Sequence, residues 1–170
     1  MTEIKPGNGK PDVILLNGPS SAGKSSIAKA LRQLLLDSGA NAVILSLDDY
    51  LQMSTNEPIW EDDVFAIIPR MCADIRAALQ DGKTVIIDHV ITSARIYGAL
   101  SHAVAGFQMK TVLVRCDVET LRRREANGVT GVSAPQRYLP NFSIQRRNMT
   151  CVLTAATRVL QPLRKRLSGP

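Results

Sequence analysis

The junction between Val13-Ile14-Leu15-Leu16 and Gly18-Pro19-Ser20-Ser21-Ala22-Gly23-Lys24-Ser25 constrains the fold of this chain more than any other stretch of it. Four apolar residues in succession mark a strand buried on both faces, since a half-buried strand would alternate apolar with polar. The octet that follows fits the pattern G-x-x-x-x-G-K-[ST]. Its glycines let the main chain curl until successive N–H groups converge on an anion. Beyond it, Ile27, Ala30, Leu31, Leu34 and Leu35 recur at helical spacing over Ser25–Asp37. The loop therefore opens a helix, whose N-terminus adds a positive dipole end. Gly18, Ser20, Ser21, Ala22, Gly23, Lys24, Ser25 and Ser26 are the expected nucleotide-binding residues. Lys24 is expected on the β- and γ-phosphates, and the Ser25 hydroxyl on Mg²⁺.

The alternation of apolar runs and helical patterns continues. Ala42–Leu47, Thr84–Ile87 and Lys110–Arg115 read as further strands. Val64–Gln80, Ser93–Ala105 and Val118–Ala126 read as helices, with Pro69 a kink or boundary in the first of them. Met149–Leu167 carries apolar residues at helical spacing and predicts a terminal helix, and Ser143–Thr150, rich in polar residues, is a poor central strand. A fifth strand is accordingly expected to be absent or displaced. Strands separated by helices imply parallel β-α-β units, hence an α/β/α sandwich of three layers on a parallel sheet of four to five strands. Ligands bind such sheets at the carboxyl ends of the strands.

Three groups of charged residues fall at those ends. Asp48 and Asp49 follow the second apolar run, where a carboxylate can accept the proton of an attacking hydroxyl; Asp48 is the first candidate for that base and Asp49 the second. Asp88 closes Val85-Ile86-Ile87, the Walker-B pattern of an apolar strand ending in a magnesium-orienting carboxylate. His89, next to it, reads as a pocket-wall or structural residue. Arg122, Arg123 and Arg124 follow the fourth strand. Consecutive helical residues point about 100° apart, so one or two of the three face the site. Arg124 or Arg123 is expected to clamp the phosphoryl group, with Arg122 on the surface.

Composition narrows the class. The 170 residues suit one domain, expected over 12–170 behind a flexible polar leader, 1–11. No apolar run approaches the roughly 20 residues of a membrane span, and the leader lacks the apolar segment of a secretory signal. The expected location is cytoplasmic, which agrees with three cysteines, Cys72, Cys116 and Cys151, that form no C-x-x-C pair. A net charge of +6 favours anionic ligands. Nucleic acid is not the expected partner, because the arginine clusters come with no recognition motif.

Taken together, Leu16-Asn17-Gly18-Pro19-Ser20-Ser21-Ala22-Gly23-Lys24-Ser25, Leu47-Asp48, Ile86-Ile87-Asp88-His89-Val90 and Val114-Arg115-Cys116-Asp117 resemble the chloramphenicol phosphotransferase-like family of P-loop kinases. The likeness runs from about Val13 to Glu125. It implies a P-loop NTPase, kinase-like fold and transfer of the γ-phosphate of ATP, with Mg²⁺, to a hydroxyl of a small molecule. It implies Asp48 as the base, with Lys24 and an arginine near Arg124 on the phosphates; Ser25 and Asp88 make the metal pair. The last third departs from the family. Where a lid rich in arginine is usual, the chain has Ala126-Asn127-Gly128-Val129-Thr130-Gly131, and Arg146 and Arg147 are the candidates to supply the missing charge. Two other readings stand beside this one. The Asp48-Asp49-Tyr50 run resembles a segment of uridine-kinase-like enzymes, which suggests a nucleoside or sugar kinase of another P-loop family. The short lid suggests a nucleotide-binding regulatory protein.

Overall fold

In the computed structural model, residues 12–51, 60–91, 93–126 and 149–154 are described, with the side chains of 124–126 and 149–154 excepted. The elements run β1 (Val13–Asn17), α1 (Lys24–Asp37), β2 (Ala42–Ser46), α2 (Leu47–Tyr50), α3 (Glu61–Gln80), β3 (Thr84–His89), α4 (Ala94–Ala103), β4 (Met109–Arg115), α5 (Val118–Ala126) and β5 (Met149–Thr154). The strands form one parallel sheet in the order β2-β3-β1-β4-β5. All five residues of β1 are buried, as its continuous apolar run requires for a central strand.

Alternation along β1 and β3 divides the core into two layers. Val13, Leu15, Val85 and Ile87 pack with Ile68, Met71 and Ile75 of α3 and Ile96 and Leu100 of α4. Ile14, Leu16 and Ile86 face the other way, onto Ile27, Ala28 and Leu31 of α1. In register, Leu16 and Ser46 flank Asp88, and Asn17 pairs with both His89 and Leu113. The polar residues that end the strands thus share one edge of the sheet, beside the start of α1.

Three expectations are corrected. Met149–Thr154 is a strand, paired with β4 from Thr111 to Arg115 across a register irregularity between Thr111 and Val112. A short apolar run has no period of its own that separates helix from strand, and an open edge of β4 decides it. The polar residues that argued against a fifth strand precede it. Second, β2 stops at Ser46, so Asp48 stands in the one-turn helix α2 and not on a strand end. Third, α3 runs through Pro69 and begins at Glu61. Pro69 is exposed while Ile68 and Met71 are buried, so packing on the inner face holds the helix together where the proline removes one hydrogen bond. The earlier start is capped by Asp63, whose carboxylate accepts from the Trp60 N–H at 2.9 Å. Among the described residues no helix is long and apolar enough to cross a membrane. The leader, the loop at 52–58, the lid segment after Ala126, Arg146, Arg147 and any helix beyond Thr154 lie outside the described residues.

Candidate active site

Gly18–Gly23 link β1 to α1 and form a concave main chain. Ser21 and Gly23 have φ of 60° and 93°, the left-handed values that turn neighbouring N–H groups toward a common point. For Gly23 this conformation is free of steric cost, whereas for Ser21 it is strained, as residues at ligand clamps often are. Gly18 is required for another reason. A Cβ built on it would lie 2.3 Å from the carbonyl oxygen of Val114; the loop leaves the sheet pressed against the end of β4.

Lys24, the first residue of α1, is buried, with 7% of its surface exposed. Its Nζ donates to the Pro19 carbonyl at 2.9 Å, which folds the side chain back across the loop. An ammonium has three N–H donors, and Pro19 takes one. Burial lowers the Lys24 pKa, and the nearby carboxylates of Asp88 and then Asp48 oppose that. A phosphate would supply the counter-charge that this ammonium has only at a distance.

Ser25 lies one residue on, and its Oγ donates to Asp88 Oδ2 at 2.6 Å. The bond joins the start of α1 to the end of β3 across 63 residues of sequence. A hydroxyl and a carboxylate in contact are the two protein groups that a magnesium ion on a triphosphate needs. Such an ion keeps several waters and phosphate oxygens, and it needs few protein ligands. The oxygen donors of Ser25 and Asp88 are of the kind Mg²⁺ takes.

Asp48 stands on α2, within electrostatic reach of Asp88 and Lys24. Its side chain is exposed, yet enough protein surrounds the carboxyl that burial raises its pKa. Asp88 and, more weakly, Asp49 push the same way, and Lys24 opposes them. Asp48 is thus electrostatically coupled to both Lys24 and Asp88. A carboxylate that holds a proton more readily than usual is a better proton acceptor from a hydroxyl.

The structure brings together Gly18, Ser20, Ser21, Ala22, Gly23, Lys24, Ser25, Asp48 and Asp88. Ser26 is exposed on α1. Arg122 and Arg123 are exposed on α5, and Arg124 belongs to the same helix with its side chain outside the described part. Trp60 is 60% exposed and does not pack on the core.

Two supporting residues carry roles that the motifs do not announce. Asn17 is buried, and its Oδ1 accepts from the Ile91 N–H at 3.0 Å. That bond ties the segment after β3 to the strand before the loop. Asp117, the last residue of the Val-Arg-Cys-Asp segment, caps α5: its Oδ1 accepts from the Thr120 N–H at 2.7 Å. Asp directly before a helical run is an N-cap signature, so that much could be found from the sequence. His89 is 1% exposed, and neither ring nitrogen has a hydrogen-bond partner. Burial lowers its pKa to about 4; the Val90 main chain opposes this slightly without making a well-formed bond, and the Lys24 charge adds to it.

The fold is similar to that of several solved structures. An APS kinase of Mycobacterium tuberculosis, in complex with AMPPNP and APS, superposes with a TM-score of 0.68 at 18% identity, over 86% of this chain and 89% of that one. An unliganded sugar kinase of Janibacter sp. gives 0.66 at 15% identity over 84% of both chains. A gluconokinase of Sinorhizobium meliloti gives 0.53 at 15% identity, covering 91% of this chain and 86% of its own. At these identities the likeness is one of fold. No curated protein matches the chain in sequence. The profile described as chloramphenicol phosphotransferase-like protein matches residues 11–139, from the strand before the glycine loop to well past the arginine helix, and the chain belongs to that family.

Proposed function

We propose that the protein is a kinase that transfers the γ-phosphate of ATP to a hydroxyl of a small molecule. The observation that carries this reading is the convergence of Lys24, the Ser25–Asp88 pair and Asp48 at one edge of the sheet. A phosphate anchor and a proton acceptor with a raised pKa stand within electrostatic reach of each other. A protein that only held nucleotide would need the first and not the second.

In this scheme the loop N–H groups of Gly18–Gly23 and the Lys24 ammonium hold the phosphates. Ser25 and Asp88 would hold Mg²⁺, which when bound neutralises charge on the phosphate oxygens. The acceptor oxygen forms a bond to the γ-phosphorus while the bond from phosphorus to the β,γ-bridging oxygen breaks. The acceptor's proton passes to Asp48, and ADP leaves. Arg124 or Arg123 is the candidate cation to cover the transferring group from α5.

The test is a screen of hydroxylated acceptors, including chloramphenicol, nucleosides and sugars, for phosphate transfer from MgATP. Lys24→Ala is expected to abolish nucleotide binding and transfer together. Asp48→Asn is expected to bind MgATP normally and lose transfer by about 10²–10⁴-fold, the usual worth of a general base. Full turnover in Asp48→Asn with an accepted substrate would show that this residue is not the base. MgATP binding with no transfer to any acceptor would favour a regulatory role. Preference for a nucleoside or sugar would favour the kinase reading prompted by Asp48-Asp49-Tyr50.

A further inference from the structure

The base proposed above stands on a helix that is too short to hold itself. Helix α2 has four residues, and its N-cap, Ser46, makes no side-chain cap. Its last turn is closed by the Leu51 N–H, which donates to the Leu47 carbonyl at 3.2 Å. A single turn fixes several dihedrals for one hydrogen bond and is unfavourable alone, so the place of Asp48 must be set from outside.

Two residues of α2 provide outside anchors. Leu47 is buried in the core. Tyr50 reaches α3, where its hydroxyl donates to Asp74 Oδ2 at 2.8 Å. The Arg70 guanidinium lies 5.9 Å from the centre of the Tyr50 ring. Arg70 and Asp74 are one turn apart on α3, whose Ile68, Met71 and Ile75 are at most 2% exposed. The phenol is therefore fastened to a rigidly packed helix by a hydrogen bond and a cation–ring contact. Asp48 and Tyr50 are two residues apart, about 200° around the helix, so the side that is fastened is opposite the side that offers Asp48.

We propose that Tyr50, held by Asp74 and Arg70, is a positioning residue that fixes α2 so that Asp48 meets the acceptor oxygen. The role rests on the reading of Asp48 as the base. Burial, with the Asp74 bond second, also raises the pKa of Tyr50, so the phenol stays a hydrogen-bond donor throughout the working pH range.

Tyr50→Phe is the test, because it removes the one hydrogen bond and keeps the ring under Arg70. MgATP with water as the acceptor serves as the probe, read as release of inorganic phosphate, with MgADP affinity measured alongside. The expected result is a rate about five- to tenfold lower at unchanged MgADP affinity, the loss of one exposed hydrogen bond. In an Asp48→Asn background the same change should cost nothing further, because Tyr50 acts through Asp48. Asp74→Asn, which keeps a carbonyl acceptor, should retain most of the rate, and Asp74→Leu should match Tyr50→Phe. Hydrogen exchange at the amides of residues 47–51 reads the tether without turnover and should be faster in Tyr50→Phe. Unchanged exchange there would overturn the proposal. So would a wild-type rate in Tyr50→Phe when Asp48→Asn is inactive, or losses that multiply in the double variant. A wild-type rate in Asp48→Asn alone would bring down the base assignment, and the positioning role with it.

Discussion

Replacing Gly18 by alanine adds one methyl group at the point where the phosphate loop leaves the sheet. The new Cβ would stand 2.3 Å from the Val114 carbonyl oxygen, 3.2 Å from its carbon and 3.3 Å from the Val114 Cβ. Side-chain Cβ atoms essentially never approach another heavy atom closer than 3.0 Å, so the loop or the end of β4 must move by at least 0.7 Å. Neither moves freely, because Val114 is fully buried and Asn17, next to Gly18, is paired with Leu113. Overpacking of this kind costs about 1–3 kcal/mol. The backbone argument has the opposite sign. Gly18 is not among the glycines with positive φ, so its backbone does not call for glycine, and without the clash alanine would stabilise by about 0.4–1 kcal/mol through the unfolded chain. The two effects predict different directions, and a urea titration at constant slope separates them. A lower midpoint is expected, with a melting temperature down by about 2–4 °C per kcal/mol, together with weaker MgADP binding as the loop is displaced. Gly39→Ala is the control: its Cβ would meet nothing within 4 Å, but its φ is +79°. It should lose about 1 kcal/mol from the left-handed backbone alone and bind MgADP as the wild type does. A Gly18→Ala protein as stable as the parent, with undiminished MgADP affinity, would refute the steric account.

Three further outcomes can be checked. His89 titrates near 4 in the fold against an ordinary 6.5. The unfolded chain therefore binds a proton that the fold refuses. Its contribution is complete above pH 6.5 and is lost as the pH falls toward 4, by about 3 kcal/mol in all. Since both ring nitrogens lack partners, His89→Leu should not destabilise at neutral pH and should flatten the acid side of the stability curve; an unchanged slope in urea titrations between pH 6.5 and 4 would contradict this. For turnover, the raised pKa of Asp48 means that the active, ionised form is present above that pKa and is lost as the pH falls through it. The acid limb should thus lie above the ordinary 3.8, and Asp49→Asn should move it toward lower pH by removing a like charge. Finally, Pro69→Ala should stabilise α3 by about 1–2 kcal/mol, restoring one helical hydrogen bond against some added freedom of the unfolded chain. A lower urea midpoint in that variant would show that the helix needs its proline.

The sequence by itself determined the central strand, the glycine loop, the helix behind it and the parallel α/β order. Those features are local. A run of Val13-Ile14-Leu15-Leu16 set directly before a glycine loop reads as a doubly buried strand, and the spacing of Gly18, Gly23, Lys24 and Ser25 is a contiguous pattern whose physics lies within eight residues. Asp88 could be placed for the same reason, at the end of an apolar run. Tertiary structure decided what depends on residues far apart in the chain. Met149–Thr154 became a strand because β4 offered an open edge. α3 crossed Pro69 because its inner face is buried against the sheet and α4. Gly18 is required by the carbonyl of a residue 96 positions away, not by its own φ. Asp48 was readable as a carboxylate near the site, but its footing was not. The one-turn helix beneath it is held by Tyr50 on Asp74 of α3, a contact between partners 24 residues apart that no local spacing rule encodes.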